Sequence, residues 1–310
     1  MYNHYSVMLQ EAIDLLAIKA DGVYVDMTLG GSGHAKEIYQ RLNSAGKLIA
    51  FDQDLMAIEN AQQIFKNKEN VYLLNCNFAQ LKSELAKLNI EKIDGVIFDL
   101  GVSSMQLDLA ERGFSYRFDA KLDMRMNQQQ SLSAYEVINN YSFNDLMRIL
   151  IKYGEVKNAK AIVRSIEKSR IEKPITTTFE LVEVIKKALP QAVLKKKGHP
   201  AKQIFQAIRI EVNQELAVFE KALYQAIELL NVAGRVVVIS FHSLEDRICK
   251  RVFKEYTTSQ LSKDIVDIRG LEDIKYRLIK SKVVVPSVDE LQENNRSKSS
   301  KMRAIEKIKE

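Results

Sequence analysis

The chain of 310 residues contains no tryptophan, only 4 prolines and only 2 cysteines, Cys76 and Cys249. Cysteines without the spacing of metal ligands exclude a disulfide scaffold and a cysteine-based zinc cluster, and they fit buried apolar positions in a cytoplasmic protein. No stretch approaches 18 uninterrupted apolar residues, so no membrane-spanning helix is predicted. Residues 1–16 lack the basic region and the small-residue cleavage site of a signal peptide. We therefore expect a globular protein of the cytoplasm.

The net charge of +6 conceals an uneven distribution of charge along the chain. Residues 1–145 carry a net charge of −6, residues 146–254 carry +10, and residues 255–310 carry +2. A basic block in an otherwise acidic chain favours a polyanionic partner, most simply a nucleic acid. On charge alone, lysine-rich helices that are merely solvated are an equal alternative.

The first hundred residues alternate between short β-branched or aromatic runs and helical segments. The strand-like runs are VYVD (23–26), KLIAFD (47–52), VYLL (71–74) and GVIFD (95–99), with helical segments at about 34–43, 54–66 and 79–88. Alternation at this pitch predicts βαβ units and a parallel sheet. The runs show no polar alternation, as expected for strands that are covered on both faces. The predicted fold class is therefore α/β.

The pattern becomes helical beyond residue 107 and stays helical as far as residue 209. Helices are predicted at 132–141, 143–153, 155–171 and 177–189, followed by one long helix over 201–230. A strand is predicted at 235–240. A capping box of Ser243 and Asp246 is predicted to begin a helix that ends near residue 256. Residues 282–285 are strand-like. We expect a discontinuous α/β domain, 1–106 and 210–310, interrupted by an all-helical insertion, 107–209.

A glycine-rich turn follows the first strand and leads directly into a helix, over residues 30–34. Glycines at such a turn let the backbone approach a ligand and leave helix amides free. The turn is not the dinucleotide fingerprint, because Lys36 replaces the third glycine, and it is not a P-loop, because no Gly-Lys-Ser/Thr follows. A purely structural turn is the alternative.

Further candidate ligand groups follow the next three strands, at the edge where open parallel sheets bind ligands. Asp52 ends the second strand and is placed to accept the hydroxyls of a ribose. Phe78 follows the third strand and is placed to cover an adenine. Asp99 ends the fourth strand. Each alone is equally a solvated aspartate or a core aromatic, but together they indicate a nucleoside ligand. This layout resembles the class I S-adenosylmethionine-dependent methyltransferases, whose cationic sulfonium suits acidic surroundings.

Longer motifs narrow the resemblance. In chain order they are DLGVSS (99–104), ERGFS (111–115), LDMRM (122–126), HPA (199–201), FQA (205–207), RI (209–210) and ISFHSLEDR (239–247). Together, and from His4 to about Arg303, they resemble the small-subunit ribosomal RNA methyltransferase H family, also called MraW. The resemblance implies a Rossmann-like class I methyltransferase sheet with an inserted helical domain that recognises RNA. It also implies S-adenosyl-L-methionine as cofactor and methylation of the N(4) amine of a cytidine in the decoding centre of 16S rRNA, within the small ribosomal subunit.

The resemblance also assigns individual residues. It places the cofactor contacts at Ser32, Gly33, His34, Asp52, Phe78, Asp99 and Gln106, and no metal is implied. His34 is expected to offer its backbone amide rather than its ring. Three positions depart from the family pattern, where Ser32 replaces a glycine, Met105 a proline and Gln203 an arginine. Serine still presents a backbone amide, so cofactor binding is expected to survive, whereas Gln203 removes one phosphate contact.

Asp99 is the candidate catalytic residue, because an amine that becomes tetrahedral needs an acceptor for its N–H groups. The carbonyl of Leu100, or a role for Asp99 in cofactor positioning alone, are the alternatives. His242 is expected either to touch the base or to hold the corner after the fifth strand. Glu245 and Asp246 are expected to stabilise a first helical turn rather than to take part in the reaction.

Basic and aromatic side chains near the Asp99 loop are the candidates for RNA contacts. The candidates for phosphates are Arg112, Arg117 and Arg125, although an internal pair of Arg125 with Asp123 is equally expected. The candidates for stacking on an unpaired or flipped base, each of which is alternatively a core residue, are Phe114, Tyr116 and Phe118.

Two rival functions compete with methyl transfer on the sequence alone. A dehydrogenase is disfavoured because the third glycine is absent and the helical insertion is large. A non-catalytic ribosome-binding factor is disfavoured because it has no physical need for strand-end carboxylates. The oligomeric state, monomer or homodimer, stays open.

Overall fold

The computed structural model describes residues 6–195, 198–258 and 274–310. The chain divides into two compact units. The first, which we call the sheet unit, comprises Met1–Gly101 and Leu216–Glu310, and the second, the helical unit, comprises Val102–Glu215. The predicted insertion, 107–209, lies wholly within the helical unit.

A seven-stranded sheet forms the centre of the sheet unit. Its strands are β1 (Val23–Asp26), β2 (Lys47–Asp52), β3 (Val71–Asn75), β4 (Ile93–Asp99), β5 (Leu230–Ser240), β6 (Tyr276–Leu278) and β7 (Lys301–Lys307). Their order is β3-β2-β1-β4-β5-β7-β6, in which the first five are parallel and β7 runs antiparallel to β5 and β6. The predicted α/β class and the predicted parallel sheet are confirmed. The order reverses between β1 and β4, and ligands of open α/β sheets bind at such a reversal.

Helices cover both faces of this sheet. They are α1 (Leu9–Leu16), α2 (Gly33–Arg41), α3 (Leu55–Ile64), α4 (Leu81–Lys87), α12 (Glu215–Glu228), α13 (Ser243–Thr257) and α14 (Val288–Glu293). Alternate residues of β2 belong to two separate apolar clusters, with Ile49 and Phe51 in one and Leu48 and Ala50 in the other. All four are completely buried. The unbroken apolar runs of the sequence thus reflect burial on both faces.

The helical unit has an apolar core of its own, which includes Ile149, Ile162, Leu181 and Ile208. Its helices are α5 (Ser104–Asp108), α6 (Ala134–Asn140), α7 (Phe143–Lys152), α8 (Ala159–Glu172), α9 (Thr178–Ala188), α10 (Gln191–Leu194) and α11 (Lys202–Asn213). Within its described residues the only β pairing is an isolated bridge between Lys121 and Thr177.

The prediction of one helix over 201–230 is wrong, because the chain leaves the helix at Gln214, where φ is 51°. The neighbouring Asn213 explains the break. Its side chain is buried, donates to the carbonyls of Met124 and Arg209, and accepts from the amide of Met126. These bonds tie the end of α11 to a distant loop and satisfy the amide of Met126 and the carbonyl of Met124 in that loop.

The tail also differs from its prediction. Residues 282–285 contribute one isolated bridge, between Val284 and Met302, whereas the strands of the tail that enter the sheet are β6 and β7. The start of β7 was not predicted, because the polar residues at 294–303 give no strand signal. Its pairing with β5 supplies partners that no local pattern in the sequence reveals.

Gly113 is required by the fold of the helical unit. Its φ is +68°, and a Cβ atom there would lie 2.3 Å from the carbonyl oxygen of Lys121. We expect Gly113→Ala to lower the free energy of unfolding by about 2–3 kcal/mol, because the backbone is left-handed and the contact is with main chain. Gly198→Ala is the control, since φ is +102° there but a Cβ would meet nothing within 4 Å. It should cost about 1 kcal/mol. Equal losses in urea titrations would show that the contact with Lys121 is unimportant.

Candidate active site

The turn after β1 is held by the carboxylate at the end of β2. Asp52 accepts from the amide of Gly30 through Oδ2 and from the amide of Asp54 through Oδ1, both at 2.9 Å. Burial raises the pKa of Asp52 to about 6, although these amides oppose the shift. The sequence did not reveal that this candidate ribose acceptor also holds the glycine turn.

Ser32 lies in that turn with φ at 64°, a left-handed conformation that favours glycine, and α2 begins at the next residue, Gly33. The Ser32 side chain is completely buried, and its Oγ has no hydrogen bond within the described part of the chain. Ser32, which stands where the resemblance predicts a glycine, thus has a backbone conformation that favours glycine.

Asp99 lies beside this turn at the end of β4. Its amide donates to Oγ1 of Thr28 at 2.7 Å, which joins the ends of β4 and β1. Its Oδ1 is buried and has no hydrogen bond among the described residues, whereas Oδ2 lies 3.6 Å from Nδ1 of His34. Burial, and then the negative charges of Asp26, Glu245 and Glu290, raise the pKa of Asp99 well above its ordinary value.

Asp26 is an acidic neighbour that was not proposed as a site residue. It ends β1, is 1% exposed, and accepts from the amide of Thr28 at 3.0 Å. Burial and the charge of Asp52 raise its pKa to about 7, against the hydrogen bonds of Thr28. Its position at a strand end, like those of Asp52 and Asp99, was the signal that could have identified it.

Phe78 begins a 3₁₀ turn after β3 and is half-buried, with its ring edge-on to Phe98 at 6.0 Å between centroids. The preceding Asn77 donates to Gln53 at 3.4 Å, which links the loops that follow β3 and β2. The structure therefore places Ser32, Gly33, His34, Asp52, Phe78 and Asp99 in one unit, at the carboxyl ends of neighbouring strands.

Gln106 belongs to the helical unit. It is buried, and its Oε1 accepts from the amide of Ser103 while the Ser103 side chain accepts from the amide of Gln106. This capping box starts α5. A cofactor contact of Gln106 stays a prediction.

The corner after β5 is held by Glu245. This residue is 2% exposed and accepts from the amides of Phe241 and His242 through Oε2. The N-cap of α13 is His242, so the predicted capping box of Ser243 and Asp246 is wrong by one residue, and the box consists of His242 and Glu245. His242 thus holds the corner, as one of its two predicted roles required.

Asp246 joins α13 to β7. Its carboxylate accepts from Nε of Arg303 at 2.7 Å, and Nζ of Lys301 lies 3.6 Å away. Burial alone would raise the pKa of Asp246, but the nearby cations lower it by a larger amount, so the pKa lies below its ordinary value. Both acids of the corner therefore have structural partners.

The arginines proposed for phosphate contact differ in what they bind. Arg112 is 2% exposed and donates to the carbonyls of Arg125 and Met126, so its prediction as a phosphate contact is wrong. Arg125 forms a two-pronged pair with Asp123, at 2.9 and 2.7 Å, as the alternative predicted. Arg117 is exposed.

The three aromatic residues proposed for stacking on a base also differ in their burial and contacts. Phe114 is a core residue, and Tyr116 stacks on His199 with 4.3 Å between ring centroids. Phe118 is 45% exposed, so its side chain is available to a stacking partner.

Three solved structures resemble the chain over nearly its whole length. A candidate rRNA methylase from Clostridium thermocellum has 12% identity and a TM-score of 0.46, with 100% of this chain and 99% of that chain covered. An rRNA methylase from Streptococcus thermophilus has 12% identity and a TM-score of 0.43, with both chains fully covered. A candidate methyltransferase from Streptococcus mutans, solved with SAH, has 13% identity, a TM-score of 0.43 and 96% of both chains covered.

None of the helices in the described residues is both long enough and apolar enough to cross a membrane. The model of the MraW methylase family matches residues 1–308 of the chain. The chain therefore belongs to the MraW methylase family, whose members depend on S-adenosylmethionine.

Proposed function

We propose that this methyltransferase transfers the methyl group of S-adenosylmethionine to the N(4) amine of a cytidine in the decoding centre of 16S rRNA, within the small ribosomal subunit. Membership of the family supports methyl transfer, and the run ISFHSLEDR (239–247) supports the finer assignment. Such a substrate implies action in the cytoplasm. The observation that carries the chemical argument is the buried Oδ1 of Asp99, which accepts no hydrogen bond from any described residue and can therefore accept one from a substrate.

The end of the sheet suits a cationic nucleoside. Asp26, Asp52 and Asp99 end three adjacent strands, and S-adenosylmethionine carries a positive sulfonium that such acids attract. We assign the ribose hydroxyls to Asp52 and the adenine to Phe78. The turn would offer the backbone amides of Gly33 and His34 at the start of α2, whereas the amide of Ser32 already donates to the carbonyl of Leu29 at 2.6 Å. Gln106 and Asp99 complete the proposed contacts.

The bound cofactor supplies an electrophilic methyl group. The amine of cytosine is a weak nucleophile because its lone pair is delocalised into the ring. Asp99 would accept a hydrogen bond from an N–H group of this amine through Oδ1, which orients the remaining lone pair and stabilises the positive charge that develops on N(4). The product then needs to lose one proton from N(4), and the same oxygen is placed to take it.

We expect Asp52→Asn to weaken cofactor binding about ten- to a hundred-fold, because a charge-assisted ribose contact contributes about 1.5–3 kcal/mol. Titration calorimetry with S-adenosylhomocysteine measures the effect. Asp54→Asn is the matched control, since it removes one negative charge two residues away and asparagine is equally good at the N-cap of α3. Equal affinities of the two variants would remove Asp52 from the binding site.

The helical unit is the proposed RNA-binding surface. Residues 146–215 carry 15 lysines and arginines against 7 acidic residues. Of the predicted loop of lysines 195–197, Lys195 is exposed, and Lys196 and Lys197 lie outside the described residues. Arg117 and Phe118 add an exposed cation and an exposed ring.

Replacement of lysines 195–197 by glutamine should flatten the salt dependence of binding to small-subunit particles. Each phosphate that the variant no longer neutralises should reduce the slope of log affinity against log salt by roughly 0.7 on single-stranded RNA. The control replaces three exposed lysines of the sheet unit, Lys66, Lys68 and Lys92, and makes the same change of net charge. The loop has no RNA role if both triple variants give the slope of the unchanged protein.

The test of the proposed function is methyl transfer from labelled S-adenosylmethionine to small subunits, followed by digestion and separation of nucleosides. We expect label in N(4)-methylcytidine of 16S rRNA. Label in another nucleoside would assign a different target. Binding of particles without any transfer would instead favour the non-catalytic ribosome-binding factor.

A further inference from the structure

The ring of His34 lies between the main chain and Asp99. The residue is 4% exposed, and Nε2 is 3.2 Å from the carbonyl oxygen of Val7. A carbonyl oxygen only accepts hydrogen bonds, so Nε2 must carry the hydrogen in this contact. The other ring nitrogen, Nδ1, lies 3.6 Å from Oδ2 of Asp99.

This tautomer constrains the proton between His34 and Asp99. With hydrogen on Nε2, a neutral ring presents a lone pair at Nδ1, which a carboxylate oxygen at 3.6 Å repels. A proton between the two atoms replaces repulsion by attraction. The separation is longer than a hydrogen bond, but contacts of this kind in active sites commonly tighten when substrate binds.

The surroundings of Asp99 favour retention of that proton. The negative charges of three acidic groups on different elements raise the pKa of the carboxyl: Asp26 at the end of β1, Glu245 on α13 and Glu290 on α14. Glu290 itself accepts from the amide of Met8 at 3.0 Å. A second uncompensated negative charge among buried acids is costly, so the pair is most stable when its two members hold one proton.

We propose that His34 is a positioning residue for Asp99, that the two share one proton between Nδ1 and Oδ2, and that this arrangement reserves Oδ1 for the substrate amine. The proposal rests on the proposed function. During transfer the N–C bond forms, the C–S bond breaks with its electron pair left on sulfur, and one proton of N(4) passes to Oδ1. The shared proton stays in place. The ring of His34 therefore acts through Asp99, in addition to the expected role of the His34 backbone amide.

Two amide substitutions separate this role from simple anchoring. Asparagine places its side-chain amide near the position of Nδ1, whereas glutamine places it near Nε2. If His34 works through Asp99, His34→Asn should retain most of kcat, and His34→Gln should lose at least tenfold. If the ring only anchors Val7, the order should reverse, with His34→Gln close to the unchanged protein. That reversed order would overturn the proposal.

The pH profile of kcat provides a second readout. The unchanged enzyme should lose activity on the alkaline side as the pair gives up its shared proton. The alkaline decline should shift to a different pH in His34→Asn, because Asp99 then titrates beside an amide instead of sharing its proton with the ring. A profile identical in both proteins would contradict the shared proton.

A turnover-independent measurement distinguishes failure of this inference from failure of the proposed function. In proteins labelled with ¹⁵N-histidine, the Nδ1 resonance of His34 should move toward its unprotonated position in Asp99→Asn. Identical Nδ1 resonances in the two proteins would overturn the pairing, whatever the enzyme methylates. If the unchanged protein forms no N(4)-methylcytidine, the proposed function fails while this spectrum still reports on the pair.

Discussion

Asp99→Asn should lower kcat for methyl transfer by about 10²–10⁴-fold while changing the affinity for S-adenosylhomocysteine much less. Asparagine preserves the shape of the side chain but lacks the carboxyl group that can take the proton of N(4) and stabilise the positive charge that develops there. Because that charge appears only in the transition state, the loss should fall on kcat rather than on binding.

Asp94→Asn is the matched control for this prediction. Asp94 belongs to the same strand, β4, but lies at its other end, where it accepts from the amide of Val23 and pairs with Lys19. We expect little change in kcat for Asp94→Asn. A proportional fall of turnover and cofactor affinity in Asp99→Asn would make Asp99 a binding residue and move the acceptor elsewhere, with the Leu100 carbonyl as the next candidate.

Asp26→Asn should stabilise the protein at alkaline pH and flatten its stability profile. Burial raises the pKa of Asp26 from its ordinary value of 3.8 to about 7, so the folded state binds this proton more tightly than the unfolded state does. The free energy of unfolding should therefore fall as pH rises from about 4 to about 7. At pH 8 it should be lower than at pH 4 by up to about 4 kcal/mol. Asparagine never ionises and still offers Oδ1 to the amide of Thr28.

The measurement is the free energy of unfolding at pH 5 and at pH 8. The difference between the unchanged protein and Asp26→Asn should be larger at pH 8. Asp21→Asn is the control, because Asp21 is exposed and its substitution should leave the pH dependence unchanged. Asp52 contributes in the same direction, since its pKa is also raised, to about 6, and this contribution persists in both variants. Parallel stability profiles for Asp26→Asn and the unchanged protein would refute the burial argument.

The strands β1, β2, β4 and the second half of β5 were predictable because they are mostly buried, which leaves a continuous apolar run in the sequence. β3 is only half-buried, but its residues VYLL form a similar run. The acids at the strand ends were predictable for a related reason. Parallel strands bring their carboxyl ends to the same edge of a sheet, so correct prediction of β2 and β4 was enough to place Asp52 and Asp99 at that edge. Their shared environment, in which burial raises both pKa values, depends on neighbours that a linear pattern does not show.

What could not be predicted depends on contacts between residues far apart in the chain. The helix break at Gln214 follows from the bonds of Asn213 to a loop nearly ninety residues earlier. The burial of Arg112 follows from the carbonyls of Arg125 and Met126. The contact of the His34 ring with Asp99 joins the first turn of α2 to the end of β4. Each of these residues is polar and looks solvent-exposed in sequence, so only the fold reveals its partner.

The most direct test of the central claim, that the acids at the carboxyl ends of the strands form the cofactor site, is a crystal structure of the protein with S-adenosylhomocysteine. We expect both ribose hydroxyls within hydrogen-bond distance of Asp52, the adenine against Phe78, and the sulfur directed toward the side of Asp99 that carries Oδ1. A nucleoside bound away from Asp52, with Oδ1 of Asp99 turned away from the sulfur, would contradict the account.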